Sequence, residues 1–265
     1  MLITRIITAA FYGVAITAAV LFLPTAGVAV VFGALWLAGA WEWAGFARFG
    51  RLGHVVYTVL FAAAMAAAWW LSGGGSVVGM LAVALVFWLA AIGAVLRFPR
   101  PFAPGVVVVS GFAVLLPSWW LLVRLHGSMP HGRGLAMSLL AIVWAADVGA
   151  YAFGRWLGRT KLAPAVSPGK TWEGMAGGLL LSALATGIAA VWLDVPVARL
   201  AALGVVTALV SVLGDLTQSM FKRNVGLKDS GKLLPGHGGV LDRIDSLTAA
   251  IPVFAGGLLL LGVAG

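Results

Sequence analysis

The chain has 265 residues, of which 62% are hydrophobic and only 9% charged, with a mean hydropathy of +1.06. Soluble domains carry about a quarter of their residues charged, so this is the composition of an integral membrane protein; it excludes a disordered chain and the alternating polar and apolar strands of a porin-type barrel. The formal net charge of +9 would suggest nucleic acid in a soluble protein, but here Lys and Arg sit in loops, where they set topology or bind a polyanionic substrate, and no nucleic acid partner is expected.

A hydrocarbon core needs about 20 apolar residues per helix. Cutting the chain at charge clusters, prolines and glycines predicts nine spans, at 5–23, 26–46, 55–72, 77–96, 105–124, 135–154, 174–193, 198–220 and 244–263. The expected fold is therefore an all-α, polytopic membrane helix bundle of about nine transmembrane helices. The first span has Arg5 ahead of it and small residues at 26–29, as a signal peptide would. Its apolar run exceeds the usual ~7 to 15 residues, so it reads as a retained span. Nine spans put the N-terminus and the loops at 47–54, 97–104, 155–173 and 221–243 on one side, which collects 14 of the 17 Lys and Arg; Arg124, Arg133 and Arg199 fall on the other. That asymmetry predicts a cytoplasmic N-terminus and an outside C-terminus. The chain divides into residues 1–134, with spans one to five, and residues 135–265, with spans six to nine and the two richest loops. The lack of cysteine removes disulfides and thiol chemistry.

The first half is chemically quiet. Its single acid is Glu42, between Trp41 and Trp43 near the end of the second span. Glu42 reads equally as a snorkelling interfacial residue or as one facing a polar interior. Trp69-Trp70 and Trp119-Trp120 read as interfacial anchors or packing, and His54, His126 and His131 as loop residues with no specific role.

On the sixth span Asp147, Tyr151 and Arg155 recur at i, i+4 and i+8, one polar stripe on an apolar helix. An acid near mid-helix costs about 2.5–3.5 kcal/mol on insertion scales. The stripe therefore reads as the wall of a cavity open to the loop side, the alternative being a structural Asp paired with an Arg of another helix. The next loop contains Ser167-Pro168-Gly169-Lys170-Thr171. This superficially matches the end of a phosphate-binding P-loop, yet Pro164 stands where its first glycine belongs and no strand is expected before it. Gly169, Lys170 and Thr171 at a helix start would still offer N–H groups, a cation and a hydroxyl to an anion. Ser167 alternatively reads as a plain N-cap, with Glu173 in the first turns.

The densest constellation spans 211–246. Asp215, Ser219, Lys222 and Arg223 share one helix face at i, i+4, i+7 and i+8, and Asp242 and Asp245 share another where the ninth span begins. Four acids interleaved with five bases between 215 and 245 exceed what topology alone requires. Facing carboxylates among bases suit Mg²⁺, which takes few acids and fills its other positions with phosphate and water. Glycines at 231, 236, 238 and 239 allow backbone to approach a ligand.

From Ser219 to Asp245 the residues Lys222-Arg223, Lys228-Asp229, Gly231, Leu234-Pro235, His237-Gly238-Gly239, Asp242-Arg243 and Asp245 match, without a gap, the signature of the phosphatidate cytidylyltransferase (CDP-diacylglycerol synthase) family. The stretch 147–178, with Tyr151, Gly154-Arg155, 161–164 and 167–174, resembles a further family segment, and Trp41-Glu42-Trp43 is similar to a motif on its second span. Val148 departs from the family's frequent Thr. The resemblance is detailed over about the last 120 residues and rests on hydropathy before them.

The resemblance implies CMP transfer from CTP to phosphatidic acid, giving CDP-diacylglycerol and pyrophosphate. It implies a homodimer in the bacterial inner membrane, with the active site facing the cytoplasm. It implies Asp215 and Asp242 as principal ligands of Mg²⁺ and a second, monovalent ion such as K⁺, with Asp245, Asp229 and Asp147 in support. Lys222, Arg223, Lys228, Lys232, Arg243 and Lys170 would hold triphosphate or phosphatidate oxygens, with Ser167, Thr171, Ser219, Tyr151, Arg155 and His237 in the substrate site. The competing readings are a CTP-dependent lipid-alcohol kinase and a non-enzymatic anion transporter. A CDP-alcohol phosphotransferase is disfavoured, because its Asp-Gly-x-x-Ala-Arg core is missing from the chain.

Overall fold

The computed structural model describes residues 2–71, 76–128, 131–231, 233 and 238–263. Those residues form nine helices and one short hairpin: α1 Leu2–Phe22, α2 Thr25–Phe46, α3 Arg51–Trp70, α4 Ser76–Leu96, α5 Pro104–Gly127, α6 Gly132–Trp156, β1 Lys161–Ala163, β2 Ser167–Thr171, α7 Trp172–Trp192, α8 Val197–Asn224 and α9 Leu241–Leu260. Eight of the helices are long and apolar enough to cross a membrane, and the described apolar part of α1 is Ala10–Phe22. Each helix end lies within four residues of the predicted span. Continuous apolar runs leave little else possible, because lipid offers no partner to an unpaired backbone N–H or C=O and a helix satisfies all of them internally.

The central element is α5, which packs against α2, α3, α4, α6 and α9. It starts on Pro104, whose fixed φ suits a first turn. Tryptophans fasten it to its neighbours. Trp36 Nε1 donates to Ser118 Oγ at 2.8 Å, Trp43 Nε1 to the Val107 carbonyl at 2.8 Å, Trp119 Nε1 to the Ala29 carbonyl at 3.1 Å and Trp120 Nε1 to the Ala68 carbonyl at 3.0 Å. Of the two readings of these tryptophans, packing holds for Trp119 and Trp120, which are buried, while Trp70 is exposed. An indole fills a wide gap between helices, and its single N–H needs only one acceptor.

The expectation that the histidines lie in loops fails for His126 and His54, which are helical. His126 lies in the last turn of α5, buried, with Nε2 donating to the Val20 carbonyl at 2.9 Å and Nδ1 3.1 Å from Thr25 Oγ1, so it ties α5 to α1 and α2. His54 belongs to α3 and lies against the Trp41 ring at 4.9 Å. His131 caps the start of α6 with its backbone.

In the second half, α7 packs against both α6 and α8, and α9 against α8. Small residues set these distances. A Cβ on Gly149 would lie 2.5 Å from the Gly177 carbonyl oxygen, one on Gly174 2.8 Å from that of Ala150, and one on Gly214 2.6 Å from that of Asp245. Without side chains at these points, backbones approach to van der Waals contact, the usual source of helix association in lipid.

The segment 161–171 corrects the expected helix start. It is an antiparallel hairpin pairing Lys161 with Thr171 and Ala163 with Ser167. Ser167 is therefore a strand residue, and the N-cap of α7 is Thr171, whose Oγ1 accepts from Gly174 N at 3.1 Å. Glu173 accepts from the backbone of Arg159 and Thr160 and closes the hairpin onto α7.

We expect Gly149→Leu to cost at least roughly 2 kcal/mol through overpacking and to reduce the monodisperse fraction in detergent gel filtration. Gly79→Ala is the control, since a Cβ at that helical position meets nothing within 4 Å and should be neutral or mildly stabilising.

Candidate functional site

The polar residues of the second half meet where α6 ends, α7 begins, α8 ends and α9 begins. A cavity of about 240 Å³ opens there, lined by Asp147 and Tyr151 of α6, Gly169, Lys170 and Thr171 of β2, Met175 of α7, Ser211 and Asp215 of α8 and Ser246 of α9, among others. The stripe predicted on α6 is real in two respects. Asp147 and Tyr151 both face the cavity, and Arg155 Nη1 donates to the Tyr151 hydroxyl at 3.2 Å. Tyr151 is 68% exposed at its rim.

Two ion pairs organise the charge. Lys170 Nζ lies 2.5 Å from Asp215 Oδ2, and Ser219 Oγ donates to Asp215 Oδ1 at 3.1 Å. Strand β2 carries Lys170 to this point, its residues Gly169, Lys170 and Thr171 all bordering the cavity. Lys222 Nζ lies 2.6 Å from Asp242 Oδ1, and both side chains are less than a tenth exposed. The other Asp242 oxygen accepts from Ser230 N at 2.9 Å and from Gly239 N at 3.0 Å. Asp147, Asp215 and Asp245 also lie close enough to repel one another, with Lys170, Lys222 and Arg243 supplying the opposing charge.

Lys222 is held in register by the end of α8. Gly226 adopts φ +78°, Gly226 N donates to the Arg223 carbonyl and Leu227 N to the Lys222 carbonyl, a left-handed glycine terminator that stops the helix just past the Lys-Arg pair. Arg223 itself is exposed and donates to the Leu227 carbonyl at 2.9 Å, so it stabilises this turn and stands away from the cavity. Lys228 and Asp229 are exposed in the loop, Ser167 stays on the hairpin, and Lys232 and His237 lie outside the described residues.

Ser211 and Ser246 line the cavity without being among the site residues expected from the sequence, which also leaves Glu42 open. Ser211 was legible as the position one turn before Asp215 on the same helix face. Glu42 is 4% exposed and accepts from Ser230 Oγ at 2.8 Å, Val240 N at 3.1 Å and Leu241 N at 2.8 Å, so it faces the interior. Nothing near it in sequence announces those partners, which are nearly 200 residues away.

The donor chemistry bears on whether a divalent ion fits. Among the described residues no three acids or imidazoles form a closed cage. The site instead offers separate carboxylates, of which Asp215 and Asp242 are each paired with a lysine. Mg²⁺ keeps several waters and takes one or two carboxylates together with phosphate oxygens, so this set of hard oxygen donors fits an ion that arrives with a nucleotide.

The sequence profile of the cytidylyltransferase family matches residues 3–261. A phosphatidate cytidylyltransferase of Pseudomonas aeruginosa is 44% identical over 263 residues, with 96% of each chain covered. One of Haemophilus influenzae is 36% identical over 284 residues, covering 96% of this chain and 98% of the relative. One of Synechocystis sp. is 42% identical over 164 residues, covering 52% of this chain and 56% of the relative.

Removing one partner of a buried pair strands the other charge, so Lys222→Met should lower stability by roughly 3 kcal/mol. Adding Asp242→Asn to it should recover part of that loss, as thermal melting in detergent will measure.

Proposed function

The chain belongs to the cytidylyltransferase family, and from that premise we propose how its polar cavity serves the CTP-using nucleotidyl transfer that makes CDP-diacylglycerol. A phosphate oxygen of phosphatidic acid attacks the α-phosphorus of CTP, the bond from that phosphorus to the β-bridging oxygen breaks, and pyrophosphate leaves with the bonding electron pair. Such a transfer needs alignment and charge neutralisation more than a covalent nucleophile. The observation that carries the assignment is the cavity itself: Asp147, Lys170 and Asp215 come from three separate elements and line one opening at the end of an apolar bundle.

Asp215 and Asp242 would hold Mg²⁺ and a second, monovalent ion such as K⁺, with Asp147, Asp245 and Asp229 in support. When bound, these ions neutralise the triphosphate and the departing pyrophosphate. Each principal carboxylate is paired with an ammonium group, Lys170 or Lys222. Those two lysines exchange their carboxylates for phosphate oxygens as substrate enters, so the site stays balanced before and after binding. Arg243 and the exposed Lys228 and Arg223 extend the positive field outward, as do Lys232 and His237 by their place in the signature. Tyr151 and Arg155 at the rim, with Ser167, Thr171 and Ser219, orient the phosphatidate headgroup while its acyl chains stay in lipid.

The active end faces the cytoplasm of a bacterial inner membrane, where CTP is supplied. The basic loops on that end support this orientation. The chemistry belongs to residues 135–265, and the working unit is a homodimer.

Incubation with CTP labelled in cytidine or in the γ-phosphate separates the reactions. Cytidine label entering lipid is expected; γ-label entering lipid instead would mean a lipid-alcohol kinase. Asp215→Asn and Asp242→Asn should each lower turnover at least about a hundredfold, roughly 3 kcal/mol of transition-state stabilisation. Near-normal turnover in either would reject the assignment of the ion ligands, and retained anion uptake without CMP transfer would indicate a transporter.

A further inference from the structure

Glu42 is on α2, in the half of the chain that contributes no other acid, and it is almost fully buried. A buried carboxylate persists only if its lone pairs are filled. Three donors fill them, and all come from one region: Ser230 Oγ at 2.8 Å, Val240 N at 3.1 Å and Leu241 N at 2.8 Å. Val240 and Leu241 open α9, so their N–H groups are among those a helix start leaves unpaired. Val240 provides no side-chain cap of its own; Glu42 serves as one from another helix. The fit leaves no slack, since a Cβ on Gly231 or on Gly239 would collide with the Glu42 carboxylate.

The same two strands of loop carry the ligands of Asp242. Ser230 gives its hydroxyl to Glu42 and its N–H to Asp242, while Gly239 gives its N–H to Asp242 and lies against Glu42. Two carboxylates thus hold the same two loop residues, Ser230 and Gly239, and Asp242 in turn holds Lys222.

We infer that Glu42 is a positioning residue for the reaction: from α2 it holds Ser230 and the first turn of α9, and so sets Asp242 against Lys222. This rests on the reading that Asp242 and Lys222 belong to the reacting site. Glu42→Gln keeps the size but replaces one acceptor oxygen with an NH₂ that opposes an N–H donor. Ser230→Ala, outside the helices, removes one arm of the grip and tests it independently should Glu42→Gln fail to fold.

The test uses the full-length protein in detergent. CMP transfer is measured per monodisperse molecule, and the rate of tryptic cleavage after the exposed Lys228 reports how firmly the loop is held. Supporting residues around an ion site typically matter by about ten- to a hundredfold. We expect Glu42→Gln to lower kcat by about that factor and Ser230→Ala by about the lower end of it, with faster cleavage after Lys228 in both and KM for CTP changed less than kcat. Unchanged kcat with unchanged cleavage overturns the inference, as does lost kcat with unchanged cleavage, which would place Glu42 directly on substrate. Faster cleavage with normal kcat leaves the grip intact as a fact of folding but overturns its role, because Asp242 and Lys222 would then be outside the chemistry. Failure of the wild-type protein to transfer CMP would strike the proposed function and leave the cleavage result standing.

Discussion

Lipid supplies no hydrogen bonds, so every charge this chain carries into the bundle must be answered by another part of the chain. The Lys222–Asp242 pair is where that requirement is met most fully. One Asp242 oxygen holds an ammonium group and the other two backbone N–H groups. The end of α8, the loop after it and the start of α9 are thereby fixed to one another, and the position of Asp245, three residues on, follows from the helix whose first turn holds Asp242.

The second pair, Lys170 with Asp215, applies the same rule differently. Its members are about a quarter exposed, against less than a tenth for Lys222 and Asp242. Lys170 and Asp215 line the cavity, whereas the Lys222–Asp242 pair is buried beyond its lining. A wetter ion pair is weaker and easier to exchange, which suits a group that releases its partner to an incoming phosphate. The hairpin that carries Lys170 is anchored at both ends, by the Thr171 cap and by Glu173 on the backbone of Arg159 and Thr160.

The apolar first half frames this arrangement and also enters it. The tryptophans between α2 and α5 hold α2 upright against the centre of the bundle, and α2 then delivers Glu42 to the loop. The aromatic cluster of Trp43, Phe46 and Phe221 continues that contact onto α8 one residue before Lys222. The division at residue 134 therefore separates composition more cleanly than it separates the site.

The number of helices, their limits and the crowding of charge onto one end were determined by the sequence alone, because hydropathy and helix period are local properties that no partner can override in lipid. The stripe of Asp147, Tyr151 and Arg155 and the face of Asp215, Ser219 and Lys222 were legible for the same reason, since neighbours on one helix are set by spacing. Other assignments depended on contacts between distant segments. Tertiary structure decided that Lys170 lies on a strand and meets Asp215, that Trp119, Trp120 and His126 are interior, that Arg223 serves a helix end, and that Glu42 is buried against Ser230 and α9. Apart from Arg223, whose partner is the Leu227 carbonyl four residues on, each of these is settled by which group of a distant segment stands opposite, across up to 199 residues of separation, and no local period encodes that.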